Sequence, residues 1–318
     1  MKPPKSAILS PFNPEKVAFG RHETFALRYG WLTKGFQALL ASKDGRIFDS
    51  EDATVELGVG RNMVHAIRYW LQAARLIERK PKGGFNPTKL GKHLFSENGW
   101  DPYLEDEATI WLVHWLIASN AEMATAWYWF FNRFHKPEFT GEEISSSLLD
   151  FVRQQISAKT AETTLKGDAA LILRMYVQSK GNTNRPIEDA LDSPLALLRL
   201  ITRTQESRSY VSKPDTRDGL PLDIFGFAVA ELFNTRADNM LPIESLMYSN
   251  EVYPAVGSVF RLTENALLRH LESLIREMPG NFEIRETAGI HQIYKLSDID
   301  PITFLKNHYG RKPRKVAA

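Results

Sequence analysis

The chain has 318 residues, 43% hydrophobic and 25% charged, with a formal net charge of +2. That composition belongs to a globular protein, and the length exceeds one comfortable hydrophobic core, so two or three domains are expected. The lack of cysteine excludes disulfides, thiolate nucleophiles, zinc–cysteine sites and iron–sulfur clusters. No charged-then-apolar leader opens the sequence, so the expected location is cytoplasmic.

Residues 1–20 are proline-rich, lack periodicity and read as an arm. A first helix is expected from Glu23 to Leu40, with Phe25, Leu32, Phe36 and Leu39 on its apolar side. Lys43-Asp44-Gly45 signals a turn, and Arg46 to Phe48 suits one short strand. Asp49 or Ser50 caps a short helix ending at Leu57-Gly58, and Val59-Gly60 turns the chain into a helix from Arg61 to about Leu76. Two extended segments around Pro81-Lys82-Gly83-Gly84 follow, and Thr88 caps a short helix through Phe95. This order predicts a winged helix-turn-helix over 21–103.

Residues 104–180 read as a helical middle domain, in which a second helix-turn-helix is weighed. Its apolar run Ala108–Phe131 resembles a membrane span, but His114, Ser119, Asn120 and Glu122 interrupt it. Each is costly in hydrocarbon, so two helices joined near Ser119 and Asn120 are expected and no membrane partner. Gly181 to Asp192 reads as a loop. Over 181–300 the grammar of the first third returns: a helix from Pro221, a short strand at Leu241–Ile243, a short helix from Ser245, a helix capped by Thr263, and a hairpin from Phe282 to Leu296. This region is expected to be winged-helix-like, and 301–318 a basic tail. The fold class predicted is therefore mainly α, with an N-terminal winged helix-turn-helix, a central helical region and a C-terminal winged-helix-like domain.

Charge is unevenly spread. Residues 61–93 hold eight Lys or Arg against the single Glu78, whereas 104–150 hold two basic and eight acidic residues and 181–300 hold twelve and eighteen. The tail adds five basic residues and no acidic one. A compact positive stretch is how a polyanion is met. Within it, Met63, Val64, Ile67, Trp70, Leu71 and Ala74 share an apolar stripe, and Arg61, His65, Arg68 and Gln72 share the opposite side with Asn62 and Tyr69 alongside. Those polar types include ones that reach guanine and adenine edges, and Arg also holds phosphate. Lys80 and Lys82 on a glycine-tipped turn, with Lys89, Lys92 and His93 beyond it, extend the basic surface. The candidate DNA-binding residues are thus Arg61, Asn62, His65, Arg68, Gln72, Lys80, Lys82, Lys89 and Lys92. The competing reading is a solvated face on a helix that contacts only protein.

The helix from Thr263 to Met278 has a similar apolar stripe, but Glu264, Glu272 and Glu277 on its outer side would repel phosphate, so protein contact is expected there. Arg311-Lys312-Pro313-Arg314-Lys315 would add a salt-sensitive grip on DNA. The aromatic group Trp111, Trp115, Trp127, Trp129, Phe130, Phe131 and Phe134 sits among acidic residues, so packing is expected rather than base stacking. There is no phosphate-cradling loop, dinucleotide fingerprint, G-x-S-x-G or H-E-x-x-H. The histidines are scattered, and His22-Glu23 reads as a surface or capping pair. No catalytic residue, metal or cofactor is assigned, and the chain reads as non-catalytic.

Several phrases resemble a bacterial family known only as a domain of unknown function: Phe19-Gly20-Arg21-His22-Glu23-Thr24-Phe25, Leu57-Gly58-Val59-Gly60-Arg61-Asn62-Met63 and Asn86-Pro87-Thr88-Lys89-Leu90-Gly91. Thr164-Leu165 with Asp168, and Glu286-Thr287-Ala288-Gly289, are similar to later family phrases. The resemblance implies genes beside phosphosulfate-reductase-like ones in DNA sulfur-modification (phosphorothioation) and phage-defence loci. Some members carry a sulfurtransferase designation, for which this cysteine-free chain has no sulfur carrier. The function expected is a DNA-binding accessory or regulatory protein of such a system, with double-stranded DNA and other subunits as partners. Homodimerisation through 104–135 is left open. The alternatives are a winged-helix scaffold that does not touch DNA, and a cryptic nuclease or sulfur-transfer factor.

Overall fold

The computed structural model describes residues 9–157, 159–179, 193–204, 208–236, 238–249, 252–287 and 290–311. The chain forms two compact units, Pro11–Lys213 and Met1–Ser10 with Pro214–Ala318.

The first unit starts with α1 (Trp31–Ala41), a 3-10 turn (Ile47–Asp49), α2 (Ala53–Leu57) and α3 (Arg61–Ala73). The antiparallel hairpin β1 (Ile77–Arg79) and β2 (Phe85–Pro87) follows, then α4 (Lys89–Phe95). Helix α1 does not begin at Glu23, because Glu23, Thr24 and Gly30 have φ of 51°, 64° and 74°. Left-handed residues cannot continue a right-handed helix. Nor is Arg46–Phe48 a strand. The Asp49 N–H donates to the Arg46 carbonyl and the Ser50 N–H to that of Ile47, which winds this piece into a 3-10 turn.

Helices α5 (Glu107–Ala118) and α6 (Thr125–Asn132) form the centre of the unit. Every residue from Ala108 to Ala118 and from Thr125 to Asn132 is buried, as expected of helices that are apolar all round. Their chain break at Ser119–Ala124 is where the sequence expected it. Among the described residues no helix is long and apolar enough to cross a membrane. The aromatic group predicted to pack does so: its seven side chains are all buried. Helices α7 (Gly141–Gln155) and α8 (Glu162–Tyr176) cover this pair, α7 opening on a capping box between Thr140 and Glu143. His114 in α5 meets the Tyr176 hydroxyl at 2.8 Å inside the core.

The second unit contains α9 (Leu222–Arg236), β6 (Met240–Pro242), α10 (Ile243–Met247), α11 (Val256–Val259), α12 (Glu264–Glu277), β7 (Phe282–Thr287), β8 (Ile290–Lys295) and α13 (Ile302–Gly310). Thr263 caps α12, accepting the Ala266 N–H at 3.2 Å. Strand β8 lies between β6 and β7, antiparallel to both. At Gly226 in α9 an added Cβ would meet Phe304 at 2.7 Å and Leu274 at 2.9 Å, so α9 can seat α12 and α13 only because it lacks a side chain there. Arg261, buried and left-handed at φ 52°, has its pKa pulled down to about 9 by burial and then by the neighbouring Arg217. Within the expected basic tail, α13 buries Phe304, Leu305 and Tyr309. Arg311 lies 3.7 Å from Asp223 and 3.6 Å from Glu277, and Lys312-Pro313-Arg314-Lys315 falls outside the described residues. The expected loop Gly181–Asp192 also lies outside them.

These observations correct the expected fold class. The described residues are about 51% helix and 10% strand with three small antiparallel sheets, an α/β mix. The mainly α class, with a winged helix-turn-helix at one end and a winged-helix-like domain at the other, gives way to that mix. One of the sheets falls partly in the region read as wholly helical: β3 (Glu138–Thr140) pairs with β5 (Ser209–Val211), which pairs with β4 (Thr202–Arg203). Strands of two or three residues are too short to print an alternating pattern.

Candidate nucleic-acid interface

Helix α3 is fixed from several directions on its apolar side. At Gly35 of α1 an added Cβ would lie 2.4 Å from Ile67 and 2.8 Å from Leu71, so α1 and α3 touch almost backbone to side chain. The Trp70 indole N–H donates to the Phe25 carbonyl at 3.1 Å, and the Tyr69 hydroxyl donates to the Met123 carbonyl at 3.0 Å. Asn120 donates to the Ala73 carbonyl at 2.9 Å. Tyr69 therefore does not stand beside the outer polar row where the periodicity put it. It is buried against the 119–123 connection, and that burial, then the Asp168 charge, raises its phenol well above the usual range.

Behind Trp70 lies a buried pair that the sequence reading missed. His22 and Asp168 are 2% and 1% exposed, with Nε2 and Oδ1 2.7 Å apart. The Thr24 backbone N–H donates to His22 Nδ1 at 3.1 Å, so the ring proton sits on Nε2 and is donated to the carboxylate. The Gly20 N–H donates to both Asp168 oxygens, at 3.0 and 3.2 Å, and His22 stacks on Trp70. His22 is thus a core residue rather than a surface or capping one. An added Cβ at Gly20 would meet Thr164 Cγ2 at 2.5 Å, so the phrase around His22 and the Thr164–Asp168 phrase are two halves of one clasp. The Leu57–Met63 phrase is likewise structural: Gly58 closes α2 at φ 57° and extended Gly60 opens α3.

The outer side of α3 carries the predicted row. Arg61 and Asn62 are exposed, and His65, Arg68 and Gln72 are half-buried. Both arginines lean on one short segment: Arg61 NH1 donates to the Ser50 carbonyl at 2.9 Å, and Arg68 NH1 to Asp49 Oδ1 at 3.1 Å. The hairpin turn meets the same stretch of chain. Lys80 Nζ donates to the Asp44 carbonyl at 2.7 Å, Arg46 NH2 donates to the Lys82 carbonyl at 3.0 Å, and the Phe85 N–H donates to the Gly45 carbonyl at 2.8 Å. Gly45 has φ 74°, and an added Cβ there would fall 2.2 Å from the Phe85 carbonyl oxygen, so only glycine permits this seam.

Residues 44–50, Arg46 among them, therefore gather Arg61, Arg68 and Lys80, with Lys82 exposed at the turn. Lys89 and Lys92 are exposed but are not part of this group. Thr88 Oγ1 donates to the carbonyls of Arg75 and Leu76, tying α4 to the far end of α3. That end lies roughly 18 Å along the axis from Arg61. The gathering segment carries exposed Asp44 and Asp49 beside Arg46, and Glu51, Asp52 and Glu56 follow it, also exposed. The Arg46 backbone N–H holds the Asp44 carboxyl below its ordinary range. The row Arg61–Gln72 was legible from periodicity. Arg46 and Asp49 were not, because only tertiary packing brings them to α3. Among the described residues no group of three or more His, Asp or Glu converges in a way that would hold a metal ion.

Among solved structures, two crystal structures of SspB superpose on this chain with a TM-score of 0.81 at 26% identity. One covers 95% of this chain and 92% of SspB, and the other, with bound magnesium, covers 93% and 90%. A search among curated proteins gave no match. The model of the DUF4007 family, proteins of unknown function, matches residues 19–309, and the chain belongs to that family.

Proposed function

We propose that this protein is a non-catalytic, cytoplasmic DNA-binding subunit that brings a bacterial DNA-modification or phage-defence complex to double-stranded DNA. The carrying observation is the row Arg61, Asn62, His65, Arg68 and Gln72, exposed or half-exposed on a helix whose other side is held by α1, the 119–123 connection and the Phe25 carbonyl. Arg and Asn or Gln are the types that pair bidentately with guanine and adenine edges, and a rigid mount is what such readout needs. Lys82 adds an exposed charge for the phosphate backbone. The resemblance to a family found in sulfur-modification loci supports the choice of complex, and other subunits of it are the partners proposed.

The test is binding to a labelled random duplex across a salt series. Lys82→Ala, Lys89→Ala and Lys92→Ala each remove an exposed charge. A lysine that truly holds a phosphate flattens the slope of log affinity against log salt by about 1 when it is removed. Because Lys82 sits on the hairpin turn against Arg46 and the other two lysines on α4, the three single variants also map the footprint. Absence of binding at low salt sinks the reading in favour of a protein scaffold. A second reading, a nuclease, has one observation in its favour: SspB has a magnesium-bound structure, and Mg²⁺ asks for only one or two protein carboxylates. Under it the same duplex is cut when Mg²⁺ is added.

A further inference from the structure

We propose that Asp49 restrains the affinity of this basic face for DNA by competing with backbone phosphate for Arg68. The inference rests on the DNA-binding reading above and adds a residue to it. Asp49 Oδ1 accepts a hydrogen bond from Arg68 NH1 at 3.1 Å, with the two side chains 50% and 31% exposed. Ser50, the next residue, takes Arg61 NH1 on its carbonyl. The two arginines stand seven residues apart on α3, two turns along one side, and converge on adjacent residues.

An exposed ion pair held by one hydrogen bond is weak and salt-sensitive, so it opens readily. A carboxylate and a phosphate diester both carry one negative charge and accept from a guanidinium in the same fork geometry. Asp49 is therefore a resident stand-in for a backbone phosphate. Any duplex offers phosphate, and a phosphate that replaces Asp49 leaves that carboxylate unpaired beside the DNA. Non-specific backbone contact at Arg68 is penalised. The neighbouring carboxylates Glu51, Asp52 and Glu56 act in the same direction as diffuse charge, whereas Asp49 and Ser50 are the residues that take the two arginines of α3 directly.

The experiment compares the full-length wild type with Asp49→Asn on a random duplex over a salt series, with Arg68→Ala and the double variant completing a cycle. The expected result is an affinity several-fold higher for Asp49→Asn, and a salt slope steeper by about 1 as Arg68 takes a phosphate. In the Arg68→Ala background the same change should have little effect. Unchanged or weakened binding by Asp49→Asn, with wild-type binding intact, overturns the role given to Asp49 while leaving the DNA-binding reading in place. An equal gain with and without Arg68 also overturns it, since Asp49 would then act only as a diffuse charge. Failure of both wild type and Asp49→Asn to bind at low salt removes the DNA-binding reading and this inference with it. Thermal melting of each variant verifies that it is folded.

Discussion

Each unit contains an amphipathic helix followed by an antiparallel hairpin, and the two differ in what their outer sides carry. Helix α3 has Arg61, Asn62, His65, Arg68 and Gln72 outside and no acidic residue along its length. Helix α12 sets Arg269 and Arg276 among Glu264, Glu272 and Glu277. The inner sides follow one rule, since Val64, Ile67 and Leu71 in α3 and Leu267, Leu271 and Leu274 in α12 are all buried. An apolar stripe thus seats a helix in its unit without saying what the helix meets. The outer charge is where the two helices differ, and the carboxylates on α12 would repel the polyanion that the outer side of α3 is proposed to meet.

The comparison can be broken most forcefully at the clasp beneath α3. Asp168→Ala leaves the His22 Nε2–H and the Gly20 N–H buried without an acceptor, and should cost about 3–5 kcal/mol in urea unfolding. A loss below about 1 kcal/mol would mean that α3 does not depend on its mount. Next come the two tight glycines. Gly35→Ala and Gly226→Ala each force an added methyl into neighbouring side chains, at about 1–3 kcal/mol. Only Gly35→Ala should also weaken duplex binding, because it displaces Ile67 and Leu71 of α3. Equal effects on binding from both would erase the distinction between the helices. The finest discrimination is by charge reversal. Arg68→Glu should lower duplex affinity at least about tenfold at low salt. Arg269→Glu on α12 should leave it within about twofold. A comparable drop for Arg269→Glu would put α12 on the DNA as well.

Much of the secondary structure was legible because local signals agreed. Thr88 and Thr263 accept backbone N–H groups at the starts of α4 and α12, as their positions before apolar runs suggested. What failed was long-range. The sheet of β3, β4 and β5 pairs Glu138–Thr140 with Ser209–Val211, about 70 residues away, with the Ser209 hydroxyl donating to the Glu138 carboxylate at 2.7 Å, and nothing within either short strand announces the other. The start of α1 was misplaced because Glu23 and Thr24 are held left-handed beside His22, whose partner is Asp168. For the candidate interface, periodicity gave the outer row of α3 correctly except for Tyr69. It misjudged Tyr69 because the helix is buried on a second side by the 119–123 connection. The segment 44–50 was read as a turn, a strand and a cap. Its role as the edge that holds two arginines emerges only when the hairpin folds back onto Gly45.

The clasp also orders the molecule in time. His22 and Gly20 are made early in synthesis, yet their acceptor lies 146 and 148 residues later. At about 5–20 residues per second a ribosome needs roughly 7–30 s to reach Asp168. Until then the His22 Nε2–H and the Gly20 N–H lack the acceptor they meet in the folded unit. The N-terminal segment is therefore the first part of this unit to be made and among the last to settle, and the helix proposed to read DNA acquires its final support only when α8 has arrived.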